Sequence, residues 1–550
     1  MHLLTDQPHA PKRLTTSYWP ADTAEPLLET TVGGALREAA AAVPDQVGLV
    51  AAWPGETTHR RWTFAQLLEE AEQTAHAMLG RFEPGERIAV WAPNIPEWLF
   101  TYFGAALAGL TLVTVNPALR ARELAHVLGQ SRSVGLFFVP EYRGTDLAAL
   151  LEEVRPNLPG LREVVLLTEW QRFVSSGGAN VKLPHVQPDH IAQIVYTSGT
   201  TGLPKGALLH HRGLTNSNRL LASTLGAQVG EGWLNELPLF HLGGIIGTLA
   251  ALQLHAKQVL CPVEPALMLE LIETERPGVA GGTPTMIEFL LRHPDFDHRD
   301  LSSVRIVPSA GMTVPGDLVR RVESRLGVSV QIMYGQTETA GVTHAVRRDD
   351  PTEAKEQTVG RPLPHVEVQI VHPYTGAILP LGAIGELCVR GYQVMAGYFD
   401  MPEATAGTID AESWLHTGDL ASMDEQGYCR IEGRLKEMII RGGENIYPAE
   451  IEAVIASHPA VAAVAVIGLP DQVYGEQVAG CVQLQPGASG SEAELRLLCE
   501  QQLARFKVPV RWHVVDEMPR TPLGKIQKFV LQAALRGDEP LAQAPAARAG

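Results

Sequence analysis

The sequence predicts an α/β protein: a large N-terminal domain of α/β subdomains plus a β-rich subdomain, then a small α+β C-terminal domain. Three observations predict it. Helix-spaced and strand-like apolar runs alternate over roughly the first 430 residues, the pattern of a sheet with substantial parallel pairing. Short strands between Gly/Pro turns follow, as in "VEVQIV" (Val366 to Val371) and "GELCVRG". A boundary candidate then opens with "GRLKEMIIRGGENIYPAEIE" at Gly433. The domains are read as residues 1–435 and 436–550.

In chain order, Trp62 to Leu79 carries apolar residues at helical spacing. "RIAVWAP" (Arg87 to Pro93) is a short buried strand, Glu97 to Leu107 a helix, and "LTLVTVNP" a strand running into a turn. Trp98 to Val115 and Leu237 to Ala256 are uncharged and approach the length of a membrane span. Glycines and Thr or His interrupt both, so each reads as a buried helix followed by a buried strand. No membrane span is expected. Past the boundary, Pro448 suits the first position of a helix, where its missing N–H is not needed. Glu450 and Glu452 near that first turn complement the helix dipole. "VAAVAVIGL" is a strand, "SEAELRLLCEQQLARF" an amphipathic helix and "VRWHVVDEMP" another strand. That fills a domain of about 100 residues. The Ala/Pro-rich tail after Arg536 reads as loose.

At 550 residues the chain has ample material for a large core. Its net charge of -17 argues against nucleic acid or an anionic membrane as a partner, although a local basic pocket can still hold a nucleotide. Five scattered cysteines, Cys261, Cys388, Cys429, Cys481 and Cys499, lack metal spacing and read as reduced thiols. With no targeting signal legible, a cytoplasmic setting is expected. A homodimer is left open.

The densest signal is "YTSGTTGLPKG", Tyr196 to Gly206, directly after the mostly apolar run Ile191 to Val195. A P-loop requires Lys and Ser/Thr immediately after its second glycine. Here Lys205 follows Pro204 and precedes Gly206, so that motif is rejected. Glycine-permitted N–H groups, hydroxyls and one ammonium still suit phosphate. "YGQTET" (Tyr334 to Thr339) follows the apolar "VSVQIM", placing an aromatic, hydroxyls and a carboxylate at a strand end, where ligands bind in open α/β sheets. "HTGDL" offers Asp419 after a glycine turn, suited to accept from a ribose diol. Taken singly, Asp419 reads equally as a turn residue, Glu338 as a solvated acid and Tyr334 as core.

In order, "YTSGTTGLPKGALLHHRGL", "LPLFHLGG", "YGQTET", "HTGDL", "GRLKEMIIRGGENIYPAEIE" and "PLGKIQK" resemble the acyl-adenylate-forming (AMP-binding) superfamily. The likeness runs from about Thr30 to Leu535 and is greatest to acyl-CoA synthetases, with wording most like the medium-chain fatty acyl-CoA enzymes. It implies a mobile C-terminal domain and an acid–thiol ligase using ATP, Mg²⁺ and coenzyme A. Acyl-AMP and pyrophosphate form first, and coenzyme A then takes the acyl group. Thr197, Ser198, Gly199, Thr200, Thr201, Gly202 and Lys205 would cradle the β- and γ-phosphates. Tyr334 would stack on adenine, Thr337 contact the α-phosphate and Glu338 help hold Mg²⁺. Asp419 and Arg434 would grip the ribose. Lys525 would bridge the substrate carboxylate and the α-phosphate, a cation between two anions. Lys436 matches the hinge, and Gly442 and Gly443 would line the pantetheine channel.

The resemblance places the acyl pocket around Phe240 to Gly247, Gly281 to Met286, Ser309 to Met312 and Gly335 to Val342, with His241, Gly243, Gly244, Gly311 and Gly335 as lining residues. His241 either gates the pocket or packs at a strand end. His241 to Val263 contains no Asp or Glu, where amino-acid-activating relatives place an acid, so an amino-acid substrate is disfavoured. Gly243, Gly244, Ile245, Ile246 and Gly247 suit an alkyl chain. Medium-chain fatty acids are the expected substrates. Aryl acids, transfer to a separate carrier protein, and a non-catalytic nucleotide-binding role are the alternatives.

Overall fold

The computed structural model describes residues 13–56, 58–177, 181–197, 204–441, 444–488, 490–520 and 524–536. The chain forms two compact units. The first comprises Met1–Gln369, Cys388–Thr417 and Asp424–Arg430, the second Ile370–Leu387, Gly418–Met423 and Ile431–Gly550. Strands Val366–Val371, Gly385–Gly391, Leu415–Met423 and Cys429–Arg434 carry the chain from one unit to the other. The loose tail expected beyond Arg536 lies outside the described residues.

In the first unit a seven-stranded sheet runs in the order Gly397–Tyr398, Lys205–His210, Ile191–Thr197, Thr111–Val115, Arg87–Trp91, Gly135–Phe138, Glu163–Leu166. Pairing is parallel from Ile191–Thr197 outward to Glu163–Leu166. Lys205–His210 is antiparallel to both its neighbours. A second array sets Trp233–Asn235, Gln258–Leu260 and Val47–Ala51 in parallel. Val279 bridges Trp233 to Ile306, which extends the array to the parallel pair Ile306–Ser309 and Ser329–Tyr334.

The uncharged stretches are internal, as their composition demands. In helix Pro96–Ala108 every residue but Glu97 is buried, and Gly109 ends it at φ 69°, a left-handed turn that glycine adopts without strain. Strand Thr111–Val115 follows, fully buried. Helix Leu242–Gln253 is likewise buried along almost its whole length. Among the described residues no helix is long and apolar enough to cross a membrane. One boundary differs from the periodicity. Arg60–Thr63 is a strand, and the helix starts at Phe64. Thr63 is a capping residue: its Oγ1 accepts from Gln66 N–H at 3.2 Å, while Gln66 Oε1 accepts from Thr63 N–H at 2.9 Å.

The second unit's sheet orders Glu444–Ile446, Ile439–Arg441, Gly475–Leu484 and Val461–Asp471, with Arg511–Val514 parallel to Gly475–Leu484. Helix Pro448–Ala456 starts at the expected proline, and Ser491 caps Glu492–Gln502 through a box with Glu494. Ile439, Ile451, Ile455, Val466 and Val478 fill one core, and Ile467, Leu469 and Leu531 another. Among the described residues no disulfide forms, and all five cysteines are buried.

Candidate active site

Parallel strands of the second array end on one side, and residues at and just past those ends build the first unit's candidate site. Strand Ser329–Tyr334 delivers Tyr334, half-buried and edge-on to His344 at 5.7 Å between ring centres. The chain then turns tightly through Gly335 and Gln336 into the short helix Thr337–Thr339. A Cβ on Gly335 would lie 1.8 Å from the Gly341 carbonyl oxygen, so only glycine lets the two backbones meet. Gln336 N–H donates to Thr339 Oγ1 at 3.1 Å, and Gln336 Nε2 donates to the Thr417 carbonyl at 2.9 Å. These bonds hold Thr337 and Glu338 in a fixed turn.

Thr197 and Lys205 face each other across the antiparallel pair Ile191–Thr197 and Lys205–His210. Their pairing closes the base of the glycine-rich loop. Ser198, Gly199, Thr200, Thr201 and Gly202 lie outside the described residues. Lys205 Nζ sits 4.8 Å from the centre of the Tyr398 ring, a cation–π contact. Tyr398 Oη donates to Glu338 Oε1 at 2.7 Å, and Met395 N–H donates to the Glu338 carbonyl at 2.8 Å. Loop lysine and acid therefore converge on one phenol. Burial and then the Glu338 charge raise the Tyr398 pKa, so the phenol stays protonated and keeps donating. Sequence reasoning passed over Tyr398. Its signal was an aromatic beside Gly397 in "MAGYF". A carboxylate with hydroxyls nearby is a set of hard oxygen donors, which fits Mg²⁺.

The second unit has candidate residues of its own. Asp419 is buried, and its Oδ1 accepts from Arg434 Nε at 2.9 Å. Lys436 follows in the turn Leu435–Glu437. Lys525 counts as exposed by residue area, yet protein crowds its ammonium. That desolvation first, and then Arg434, lowers its pKa. Lys436 is lowered in the same order by the same two causes. Lys528 bridges Glu437 at 2.9 Å and Glu452 at 2.8 Å. Gly442 and Gly443 lie outside the described residues.

On the acyl side, His241 precedes helix Leu242–Gln253 and packs on Phe240 at 4.6 Å between ring centres. Burial pushes its imidazole down to about 4, so it is neutral at pH 7. A Cβ on Gly244 would lie 2.6 Å from the carbonyl oxygens of Leu237 and Pro238, and one on Gly243 3.0 Å from Leu237 Cδ1. These glycines let the helix approach the preceding strand end. Gly311, at φ 89°, has among the described residues only Thr283 Cγ2 near its missing side chain, at 3.7 Å. Glu236, five residues before His241, was also passed over. It is a fully buried acid.

The strand-end crevice and the phosphate-loop base with Lys205 in the first unit mark a nucleotide-using α/β enzyme; the second unit carries the Asp419–Arg434 pair. The chain belongs to the AMP-binding enzyme family: the model of the AMP-binding enzyme matches residues 36–399, and that of the AMP-binding enzyme C-terminal domain matches residues 450–525. Among its relatives is YngI of Bacillus subtilis (strain 168), 37% identical over 92% of this chain and 97% of that one. The Bos taurus mitochondrial medium-chain acyl-CoA ligase ACSF2 is 37% identical over 92% and 88%. Of solved structures, ATP-bound MatB from Rhodopseudomonas palustris is 28% identical with a TM-score of 0.83, covering 92% of this chain and 99% of that one.

Proposed function

We infer that this protein is an ATP-dependent acyl-CoA ligase acting on medium-chain carboxylic acids. It joins acid and ATP into acyl-AMP and pyrophosphate, then transfers the acyl group to coenzyme A with release of AMP. The observation that carries this reading is the Lys525, Arg434 and Asp419 cluster in one unit. Asp419, held by Arg434, presents carboxylate oxygens to a ribose diol. Lys525 supplies the cation that screens a carboxylate from the α-phosphate it attacks. Its crowded ammonium is poorly solvated and gains most when an anion arrives.

In the first unit, Tyr334 offers a half-buried ring to adenine, and Thr337 a hydroxyl to the α-phosphate. Lys205 holds the outer phosphates while Tyr398 orients Glu338. Bound at Glu338, Mg²⁺ would neutralise charge on the departing pyrophosphate. Lys436 is the hinge residue of this reading, and Gly442 and Gly443 are its candidates for the pantetheine channel. The medium-chain assignment rests on the apolar Gly243–Gly247 segment, and on relatives such as the bovine enzyme named for that activity.

The test is a panel of carboxylic acids assayed for CoA-dependent AMP release. Medium-chain acids should lead, with AMP and pyrophosphate formed one to one. Stoichiometric ADP, or efficient activation of a free amino acid with octanoate inert, would overturn the reading.

A further inference from the structure

The strand ends carry a polar group that an alkyl-binding site does not need. Trp233 pairs with Val279, and Gly282 with Ser309. Cys261 N–H donates to the Asn235 carbonyl. Glu236, Cys261, Gly282 and Ser309 therefore lie on one rung, at the carboxyl ends of four successive strands. The rung continues to Ile332, two residues before Tyr334.

Glu236 is 3% exposed and Ser309 0%. Gly282 holds φ 132°, and a Cβ there would lie 2.7 Å from Glu236 Oε1 and 3.2 Å from Met286 Sδ. The glycine thus leaves the space that the carboxyl fills. Among the described residues no lysine, arginine or histidine pairs with Glu236. Its own N–H is the donor that reaches it, and the Ser309 hydroxyl on the same rung has no hydrogen-bond partner among the described residues. A buried acid without a counter-charge is unfavourable to folding, and such groups concentrate at functional sites.

We propose that Glu236 is a specificity-determining residue of the acyl site, whose carboxyl hydrogen-bonds an oxygen function on the acyl chain, so that keto or hydroxy acids are preferred over plain hydrocarbon acids. This rests on the ligase reading above and narrows its substrate class. Burial pushes the Glu236 carboxyl up to about 8, so at pH 7 it is protonated. A neutral carboxyl both donates and accepts. It can therefore serve a ketone as donor or a hydroxyl as either, with Ser309 as a second partner. An unadorned chain leaves both groups unpaired in a dry site, which penalises it relative to the oxygenated acid.

The experiment compares octanoate with its hydroxy and oxo derivatives, the oxygen placed at each successive carbon. CoA-dependent AMP release is followed with the full chain and with Glu236→Leu and Glu236→Gln. At least one oxygenated acid should exceed octanoate by about tenfold or more in kcat/KM. Glu236→Leu should erase that preference while raising octanoate. Glu236→Gln, which keeps a donor and an acceptor, should retain part of it. The KM for ATP should not move. If octanoate matches every oxygenated acid in the unaltered protein, the inference falls and the ligase reading stands. The same follows if either variant scales all acids by one factor. If no acid supports CoA-dependent AMP release, both fall. Should Glu236→Leu fail to fold, the unaltered protein and the near-isosteric Glu236→Gln decide the matter.

Discussion

Glu236→Gln should stabilise the protein increasingly as pH rises. The carboxyl titrates at 4.5 when unperturbed and at about 8 in the folded chain. Because the folded value is raised, the acid's contribution to folding is fully present below pH 4.5 and is lost as pH climbs towards 8. Glutamine fills nearly the same space and does not ionise. Each pH unit between the two values is worth about 1.4 kcal/mol. Across the full gap the two proteins should diverge by about 5 kcal/mol, and between pH 5 and pH 7 by roughly half of that. Urea unfolding at matched pH, followed by tryptophan fluorescence, reads the difference. All other titrating groups are shared and cancel. A stability difference that is the same at pH 5 and pH 7 would refute the reasoning, because it would mean that Glu236 is ionised in the folded state.

Lys525→Ala should abolish acid-dependent ATP–pyrophosphate exchange while sparing conversion of supplied acyl-AMP and CoA to thioester. Equal loss of both in a folded variant would contradict its assignment. Because crowding and Arg434 lower the Lys525 pKa, adenylation by the free enzyme should fail on the alkaline side below the ordinary lysine range, and a pH profile of pyrophosphate exchange checks this. Tyr398→Phe removes the hydroxyl that holds Glu338. It should lower kcat/KM for MgATP by about tenfold or more, about 1.5 kcal/mol or more for one charge-assisted bond, without changing acid selectivity. Lys528→Ala leaves Glu437 and Glu452 facing each other unneutralised and should lower stability by about 2 kcal/mol. Urea titration measures it, and Lys528→Arg should recover most of the loss.

Much of this protein is decided by residue order alone. Apolar runs such as residues 88–91 must be inside because nothing in them gains from exposure. Pro448 and Ser491 mark helix starts because their local chemistry permits little else. The ordered motifs likewise made Lys205, Glu338, Asp419 and Lys525 legible as candidates, since dense glycine, hydroxyl and charge at fixed spacing is costly to keep for packing alone. Other features needed the tertiary structure. Thr63 reads as part of a helix by periodicity, and only the antiparallel partner Val47–Ala51 turns Arg60–Thr63 into a strand. Gly475–Leu484, with two glycines and two glutamines, carries no clear strand pattern, yet it pairs with three others. Tyr398 and Glu236 were silent for a different reason. A tyrosine ending a two-residue strand, or a glutamate one residue past one, has no meaning until the register sets what stands opposite. The fold alone places Tyr398 between Lys205 and Glu338, and buries Glu236 against Gly282 with no counter-charge among the described residues. Local sequence sets which residues can do chemistry. The environment that sets a carboxyl's charge, and so what it can bind, is a sum over neighbours distant in the chain.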